Sequence, residues 1–444
     1  MQLSPPHMET TQSLSHRFSR MLAPLRSRVG VFGWGFLIVF LIQRGTDVAN
    51  LVTKLFLGRV LEPLDFGAVE PIGATVAMLS LPAAVIYGAS VKSISRLRSQ
   101  GQEAQCRALI RDLQIVATIG SLSSIVIVFI LRNFILTRLH LDSTFFIWMI
   151  ALMFAMAWWA PLVSAIIRAE HDYKLLALKK WVSPLLMVAL TIALVGLMDY
   201  GLSGAIAARA FSSLFILVIL FIVIYRHHKG EKTSYHEERT RLFLMILPMF
   251  IYVLSSSLAM HFDRLYVRNF LVNDSYGLSA IFMLGQIPRL AIAPLIFVLF
   301  PLASAEHASG RQLGRLLKRA VVVTAAITAI CCLLFSYVGT PLLNLWRPEF
   351  APYGQYVWIY ALMTGLQSLN KVFAQVELAR HEYRFLWLYA LPVIISCLAI
   401  YLLRNFTPVR FSLPQVLWFL TAGQAVTSLT IIAYIRIRPT RPPA

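Results

Sequence analysis

The chain has 444 residues, of which 58% are hydrophobic and 14% are charged, and its formal net charge is +20. A soluble domain cannot bury so much apolar surface, so this composition excludes a soluble globular protein and indicates a polytopic membrane protein. The basic residues are spread over many connections between apolar runs, and this distribution argues against a nucleic-acid-binding protein.

Twelve apolar runs are long enough to cross the hydrocarbon core of a bilayer, which is ~30 Å thick. They predict an all-α protein with spans at roughly 30–57, 68–90, 112–131, 145–167, 181–197, 202–224, 242–262, 278–300, 320–338, 356–378, 385–403 and 414–435. The first run is too long for a cleavable signal peptide, so we expect residues 1–28 to form a tail before a retained helix.

The spans divide the chain into two halves. We predict a cytoplasmic tail (1–28), an N-terminal six-helix half (29–224), a cytoplasmic inter-half loop (225–241), a C-terminal six-helix half (242–435) and a cytoplasmic tail (436–444). A weak internal match at an offset of 210 residues pairs Lys54 with Arg264 and Gly67 with Gly277. Six spans bring the chain back to the side where it started, so the halves form a parallel repeat with an expected substrate site between them.

Lysine and arginine residues alternate in density from one connection to the next. We assign 27 of the 40 basic residues to one side of the membrane, 8 to the other side and 5 to predicted spans. Loops rich in lysine and arginine stay in the cytoplasm, so both termini are predicted to be cytoplasmic in the inner cell membrane. This count places Arg264, Arg268 and Arg347 on the outer side.

Five cations lie within predicted spans: Arg44, Lys54, Arg209, Arg289 and Lys371. A charge at the centre of the bilayer costs ~2.5–3.5 kcal/mol on insertion scales, so such residues usually face a partner or a watery cavity. The alternative is that these side chains extend from helix ends to the membrane interface, and this alternative applies most to Lys54 and Arg209. We expect the five cations to form a cationic substrate cavity.

The first span carries a polar stripe. On a helix that turns about 100° per residue, Gln43, Arg44, Asp47, Asn50 and Lys54 lie within an arc of roughly 120°. This stripe favours a helix that lines a watery cavity, and the alternative is a buried Arg44–Asp47 pair that only joins helices. In the cavity hypothesis Asp47 neutralises Arg44 until an anionic substrate displaces it.

Two further spans carry polar side chains on one face. They are Gln367, Asn370, Lys371 and Gln375 in the tenth span, and Gln286 and Arg289, beside Pro288 and Pro294, in the eighth. Because the cations outnumber the acids in these spans, the pattern favours an anionic substrate, with arginine able to hold a diphosphate through two parallel hydrogen bonds. No catalytic or metal-binding residues are expected.

The runs LGRVLEPLDFGAVEPIGATVAML (57–79) and FDRLYVRNFLVNDSYGLSAIFMLGQIPRLA (262–291) carry a family resemblance. They resemble the polysaccharide exporters of the multidrug/oligosaccharidyl-lipid/polysaccharide flippase superfamily, whose members include O-antigen flippases. A related lipid II flippase has an Arg-Asp motif in its first helix, where this chain has Arg44 and Asp47.

The resemblance implies a MATE-like alternating-access transporter. Its substrate would be an undecaprenyl-diphosphate-linked oligosaccharide for O-antigen, lipopolysaccharide or exopolysaccharide synthesis, moved from the inner to the outer leaflet. The implied partners are this lipid-linked glycan, membrane lipids and glycan polymerase or assembly proteins, without nucleic acid. No cofactor is implied, and coupling to a proton gradient, a sodium gradient or the membrane potential is left open.

Two alternative functions differ in the chemistry they require. A multidrug efflux carrier of the same superfamily should carry acids that attract cationic drugs, whereas here basic side chains predominate within the spans. A membrane enzyme that processes polyprenyl diphosphates needs clustered carboxylates for Mg²⁺, and the chain has no DDxxD or DxD sequence.

The charge distribution generates a prediction about orientation. Cysteines introduced into the charged segments 91–108, 168–180 and 225–241 should react with a membrane-impermeant thiol reagent only after the cytoplasmic side is made accessible. Labelling of the 225–241 segment from outside intact cells would reverse the orientation.

Overall fold

The computed structural model describes residues 44–169, 173–227, 236–308, 313–379 and 385–437. Every regular element within these ranges is helical, as the apolar runs predict. This confirms the all-α fold class for the described part of the chain.

The described residues of the first half form eight helices in chain order. They are α1 (44–60), α2 (Pro63–Leu79), α3 (Leu81–Ser99), α4 (Glu103–Ile130), α5 (Arg132–Leu139), α6 (Phe145–Ala169), α7 (Tyr173–Thr191) and α8 (Gly201–His227). A π-helical segment, Ile192–Leu197, continues α7.

In the second half, the part that the structure describes forms seven helices. They are α9 (His236–Phe270), α10 (Ser275–Gly285), α11 (Ile287–Ala308), α12 (Leu313–Trp346), α13 (Val357–Ala379), α14 (Phe385–Phe406) and α15 (Leu413–Ile437). Short 3₁₀-helices precede α10 (Val272–Asp274) and α13 (Pro348–Tyr356). Helices α8 and α9 both extend into the charged segment 225–241 that the sequence assigned to a loop.

The helix boundaries follow the internal repeat. The offset of 210 residues takes the end of α1 at Val60 to the end of α9 at Phe270. The same offset takes the starts of α2, α6 and α8 to positions two residues before the starts of α10, α13 and α15. The two halves therefore use the same order of helices.

Both halves bend their second span at equivalent places. Helices α2 and α3 meet at an angle of 52°, and α10 and α11 meet at 44°. Pro82 and Pro288 each occupy the second position of the helix after the bend. Proline supplies no backbone N–H and is tolerated in a first helical turn, so the chain bends just before each proline.

Within the described residues, eight helices are long and apolar enough to cross a membrane, or ten if each bent pair is one span. The remaining two predicted spans are 30–57, which lies partly outside the described residues, and 356–378, which corresponds to the polar helix α13. The count of twelve therefore stays a prediction.

Aromatic side chains join the two halves at the end of the molecule predicted to face outward. The Phe66 ring in α2 lies 5.5 Å from the rings of both Trp346 and Phe350 in the second half. The Trp346 indole N–H donates to the Leu55 carbonyl in α1 over 3.0 Å. Such aromatic pairs contribute ~0.5–1.5 kcal/mol beyond their buried area, so this cluster holds the halves together.

Two arginines of the second half complete this contact by binding backbone carbonyls of the first half. Arg347 donates to Leu61 over 2.6 Å, and Arg268 donates to Leu139 over 2.8 Å and to Leu64 over 2.9 Å. Arg268 is 4% exposed. We call this set of inter-half contacts the outer seal, because it closes the end predicted to face outward.

Candidate functional site

A cavity of about 840 Å³ lies between the two halves. Helices α1, α2, α7 and α8 contribute side chains from the first half, and α10 and α11 contribute side chains from the second half. A cavity of this size at an interface between repeats is the expected place for a transported substrate.

Side chains of helix α1 bind one backbone carbonyl in each half. Both carbonyls lack an intrahelical N–H donor, because the residue four positions later is a proline. The Arg44 guanidinium donates to the Leu290 carbonyl over 2.7 Å, and the Thr46 hydroxyl donates to the Lys180 carbonyl over 2.8 Å. In a helix these carbonyls would pair with the N–H groups of residues 294 and 184, but both residues are prolines. The bonds therefore satisfy buried backbone and fix the cavity-facing orientation of α1.

The sequence prediction of a direct Arg44–Asp47 pair is confirmed. Arg44 Nη1 lies 3.1 Å from Asp47 Oδ2, one helical turn away. Both side chains line the cavity and are partly exposed, at 28% and 18%. The pair therefore lies in the cavity wall and not within a sealed helix interface.

The deepest charge cluster centres on Glu70 in α2, which is 8% exposed. Lys54 Nζ lies 2.8 Å from Glu70 Oε1, and Arg264 Nη1 lies 3.0 Å from Glu70 Oε2. Arg264 also lies 3.7 Å from Asp263, which accepts a 2.5 Å hydrogen bond from the Tyr360 hydroxyl in α13. We call these five residues the central ion network.

The central ion network joins the halves at repeat-related positions. Lys54 belongs to α1, and Arg264 is its counterpart in α9 at the offset of 210. The Phe282 ring of α10 lies 4.3 Å from Lys54 Nζ and 4.3 Å from the Arg264 guanidinium carbon. Each such cation–π contact contributes ~0.5–2 kcal/mol, so one carboxylate and one ring together stabilise both cations.

Two further arginines face the cavity from opposite halves. Arg289 in α11 donates to the Gln286 side chain over 2.9 Å, at the bend between α10 and α11. Arg209 in α8 lies against Gly73, where a Cβ atom would overlap its guanidinium group. Neither arginine forms an ion pair with another residue in the described part of the chain.

The cavity lining is net positive. Four of its side chains are cations and two are acids; the cations are Arg44, Lys54, Arg209 and Arg289, and the acids are Asp47 and Glu70. In a site partly shielded from water, uncompensated cations raise the local concentration of anions. The arrangement is therefore suited to an anionic group such as a phosphate.

The structure brings together most of the predicted site residues. Arg44, Asp47, Asn50, Lys54, Arg209, Gln286 and Arg289 line the cavity. Gln43 lies outside the described residues.

The predicted α13 residues do not line this cavity. Gln367 donates to the Ala259 carbonyl in α9, and Asn370 bonds to Gln424 in α15 over 3.2 Å. Lys371 lies 3.4 Å from the Met260 sulfur, and Gln375 is likewise not among the lining residues. The polar face of α13 packs inside the second half, because its amide side chains are satisfied by the neighbouring helices α9 and α15.

Sequence reasoning missed Glu70 and assigned Arg264 to an outer loop, which was wrong. Arg264 is 5% exposed in the body of α9, a helix that continues eight residues beyond the predicted span. Hydropathy ends a predicted span at a charged residue. The helix can nevertheless continue through the protein interior when that residue has an oppositely charged partner there. The available signals were the acid within the second apolar run and the repeat pairing of Lys54 with Arg264.

Solved structures with the same architecture are transporters and flippases. An inward-facing multidrug resistance MATE family transporter of the MOP superfamily is 15% identical, with a TM-score of 0.72 over 88% of this chain and 94% of that chain. The lipid II flippase MurJ, in an inward closed conformation, is 12% identical, with a TM-score of 0.66 over 90% of this chain and 88% of that chain.

A third solved structure also has this architecture. It is a MOP superfamily transporter from Pyrococcus furiosus described as having reverse polarity of its binding pocket; it is 14% identical, with a TM-score of 0.63 over 91% of this chain and 95% of that chain. Comparison with curated protein sequences gives no match.

The two-half helical fold is the one found in the MATE family transporter and in the lipid II flippase MurJ. A family described as polysaccharide biosynthesis protein matches residues 32–307, which is more than half of the chain. The chain belongs to this family, as the resemblance of the two loop-and-helix runs implies.

The central ion network generates a stability prediction. Removal of one partner from a buried ion pair costs ~3–5 kcal/mol, so Glu70→Gln should lower the apparent Tm of the purified protein markedly. The Lys54→Gln/Glu70→Gln double variant should be less destabilised than the sum of the two single variants, because it removes a cation together with its acid.

Glu103→Gln provides the matched control. The Glu103 carboxylate is 74% exposed and lies 3.7 Å from Arg107, so this exchange should leave the apparent Tm unchanged. Equal effects of the two glutamate exchanges would show that Glu70 does not hold the network.

Proposed function

We propose that this protein flips an undecaprenyl-diphosphate-linked oligosaccharide from the inner to the outer leaflet of the cytoplasmic membrane. The observation that carries the proposal is the surplus of cations over acids in the cavity between the halves. Family membership supports a role in polysaccharide biosynthesis, and the glycan would be a precursor of O-antigen, lipopolysaccharide or exopolysaccharide.

A diphosphate fits the donors that the cavity presents. Arg209 and Arg289 come from opposite halves and are not paired with described acids, so each can offer two N–H groups to phosphate oxygens. Lys54 is held by Glu70 and contributes a point charge at the deep end. The sugars, which are neutral or weakly charged, would then occupy the remaining polar surface.

Asp47 gives the empty cavity an internal anion. Its 3.1 Å pair with Arg44 neutralises one cation until a phosphate competes for the same guanidinium. Arg44 also bonds to the Leu290 carbonyl in the second half, so displacement of Asp47 alters a group that contacts both halves. A substrate can drive a conformational change only if it binds the two states with different affinities, and this exchange of partners supplies such a difference.

The cavity charge also separates this proposal from drug efflux. A carrier for cationic drugs needs acids that remain available to the drug, whereas Glu70 is already shared by two cations. The partners in this proposal are the lipid-linked glycan and the enzymes that polymerise or assemble it.

The proposal predicts that removal of a cation from the cavity and removal of an acid from it change the substrate affinity in opposite directions. Arg44→Gln and Arg289→Gln should weaken binding of an undecaprenyl-diphosphate-linked oligosaccharide by about tenfold each, whereas Asp47→Asn should bind it at least as tightly. Binding is measured on purified protein, and flipping is measured in proteoliposomes loaded with the same glycolipid.

Ser213→Ala, a neutral exchange in the same cavity lining, serves as the control for general disturbance of the site. Weaker binding by Asp47→Asn, or unchanged binding by both arginine variants, would contradict the proposal. Transport of a cationic dye that the glycolipid does not inhibit would favour efflux instead.

A further inference from the structure

A second cavity, of about 300 Å³, lies in the outer part of the molecule and is unrelated to the substrate cavity. Its walls come from α2 and α5 in the first half and from α9 and α14 in the second half. The lining is mostly apolar and aromatic, with Phe262, Tyr266 and Phe270 on one wall. We call this cavity the lateral crevice.

Helix geometry separates the lateral crevice from the substrate cavity. On α2, Thr75, Met78 and Leu79 line the crevice, whereas Glu70 faces the substrate cavity from the opposite side of the helix. On α9, Leu265 faces the crevice, whereas Arg264 binds Glu70. A layer formed by α2 and α9 therefore stands between the two cavities.

The crevice is reached from the surface that faces lipid in a membrane-spanning chain. Two of its lining side chains are exposed, Phe134 by 61% and Tyr401 by 39%. Leu131 and Phe406, close to them in the chain, are exposed by 37% and 80%. An apolar cavity beside such a surface is filled by hydrocarbon more readily than by water.

Two arginines flank one end of the crevice. Arg138 in α5 donates to the Asn269 side chain over 3.4 Å, and the Arg404 guanidinium carbon in α14 lies 5.6 Å from the centre of the Phe270 ring. Asn269 and Phe270 are consecutive, so the two arginines lie at the same level of α9. Neither forms an ion pair with another described residue, so both can bind a phosphate.

We infer that the lateral crevice is a binding site for an anionic membrane phospholipid, with one acyl chain among the aromatic side chains and the phosphate at Arg138 and Arg404. The transported glycolipid is a poorer occupant, because a diphosphate held in the substrate cavity lies on the other side of α2 and α9. Since the crevice walls come from both halves, a bound lipid favours the state in which the outer seal is closed.

The test is native mass spectrometry of the purified full-length protein with two lipids that share acyl chains, dioleoyl phosphatidylglycerol and dioleoyl phosphatidylcholine. The wild-type protein should retain the anionic lipid in preference to the zwitterionic lipid. Arg138→Gln and Arg404→Gln should each weaken retention of phosphatidylglycerol by about tenfold and reduce the preference between the two lipids.

The controls address charge and folding separately. Arg132→Gln removes an exposed arginine of α5 that does not line the crevice, and it should leave the preference unchanged. Arg138→Lys keeps a positive charge and should retain part of the preference. If Arg138→Gln does not fold, Arg404→Gln provides the same comparison from the other half.

Equal retention of the two lipids by the wild-type protein, or unchanged preference in both glutamine variants, would overturn the inference. Displacement of phosphatidylglycerol by equimolar undecaprenyl phosphate would also overturn it, because the occupant would then be the polyprenyl chain. Each outcome is independent of which glycan the substrate cavity carries.

Discussion

The structure depends on one carboxylate that is shared between the two halves. Glu70 neutralises Lys54 and Arg264, which occupy the same position in the two copies of the repeat and converge where the halves meet. A cation in the protein interior without a partner costs several kcal/mol, and among the described residues Glu70 is the acid that contacts Lys54. The carboxylate therefore makes the approach of the two halves favourable.

Prolines determine how the cavity wall is built. Pro184 and Pro294 each leave a carbonyl without its intrahelical N–H, and α1 binds one carbonyl in each half through Thr46 and Arg44. The same arginine holds Asp47, so the backbone, the internal anion and the proposed phosphate site share one side chain. A change at Arg44 is thus transmitted directly to α11.

The sequence predicted the positions of the helices better than it predicted which side chains contact one another. Hydrophobic length placed the helices, and the offset of 210 anticipated the equivalence of α1 with α9, because both properties are local or periodic along the chain. Four residues of the predicted stripe on α1 line the cavity: Arg44, Asp47, Asn50 and Lys54.

The polar face of α13 was assigned to the wrong surroundings, because periodicity shows that Asn370 and Lys371 share a face but not which helix covers it. Arg264 was excluded from the interior because its partner, Glu70, is 194 residues away in the chain. Contacts at such separations depend on tertiary packing, which one sequence does not reveal.

The central claim is that Glu70, through its shared cations, favours the state with the outer seal closed. The most direct test is double electron–electron resonance between spin labels at Glu62 and Leu345, two exposed positions on opposite sides of the seal. In lipid nanodiscs, Glu70→Gln should shift the distance distribution toward longer values than in the Glu70 protein, while Glu103→Gln should not. An unchanged distribution in a folded Glu70→Gln protein would contradict the claim.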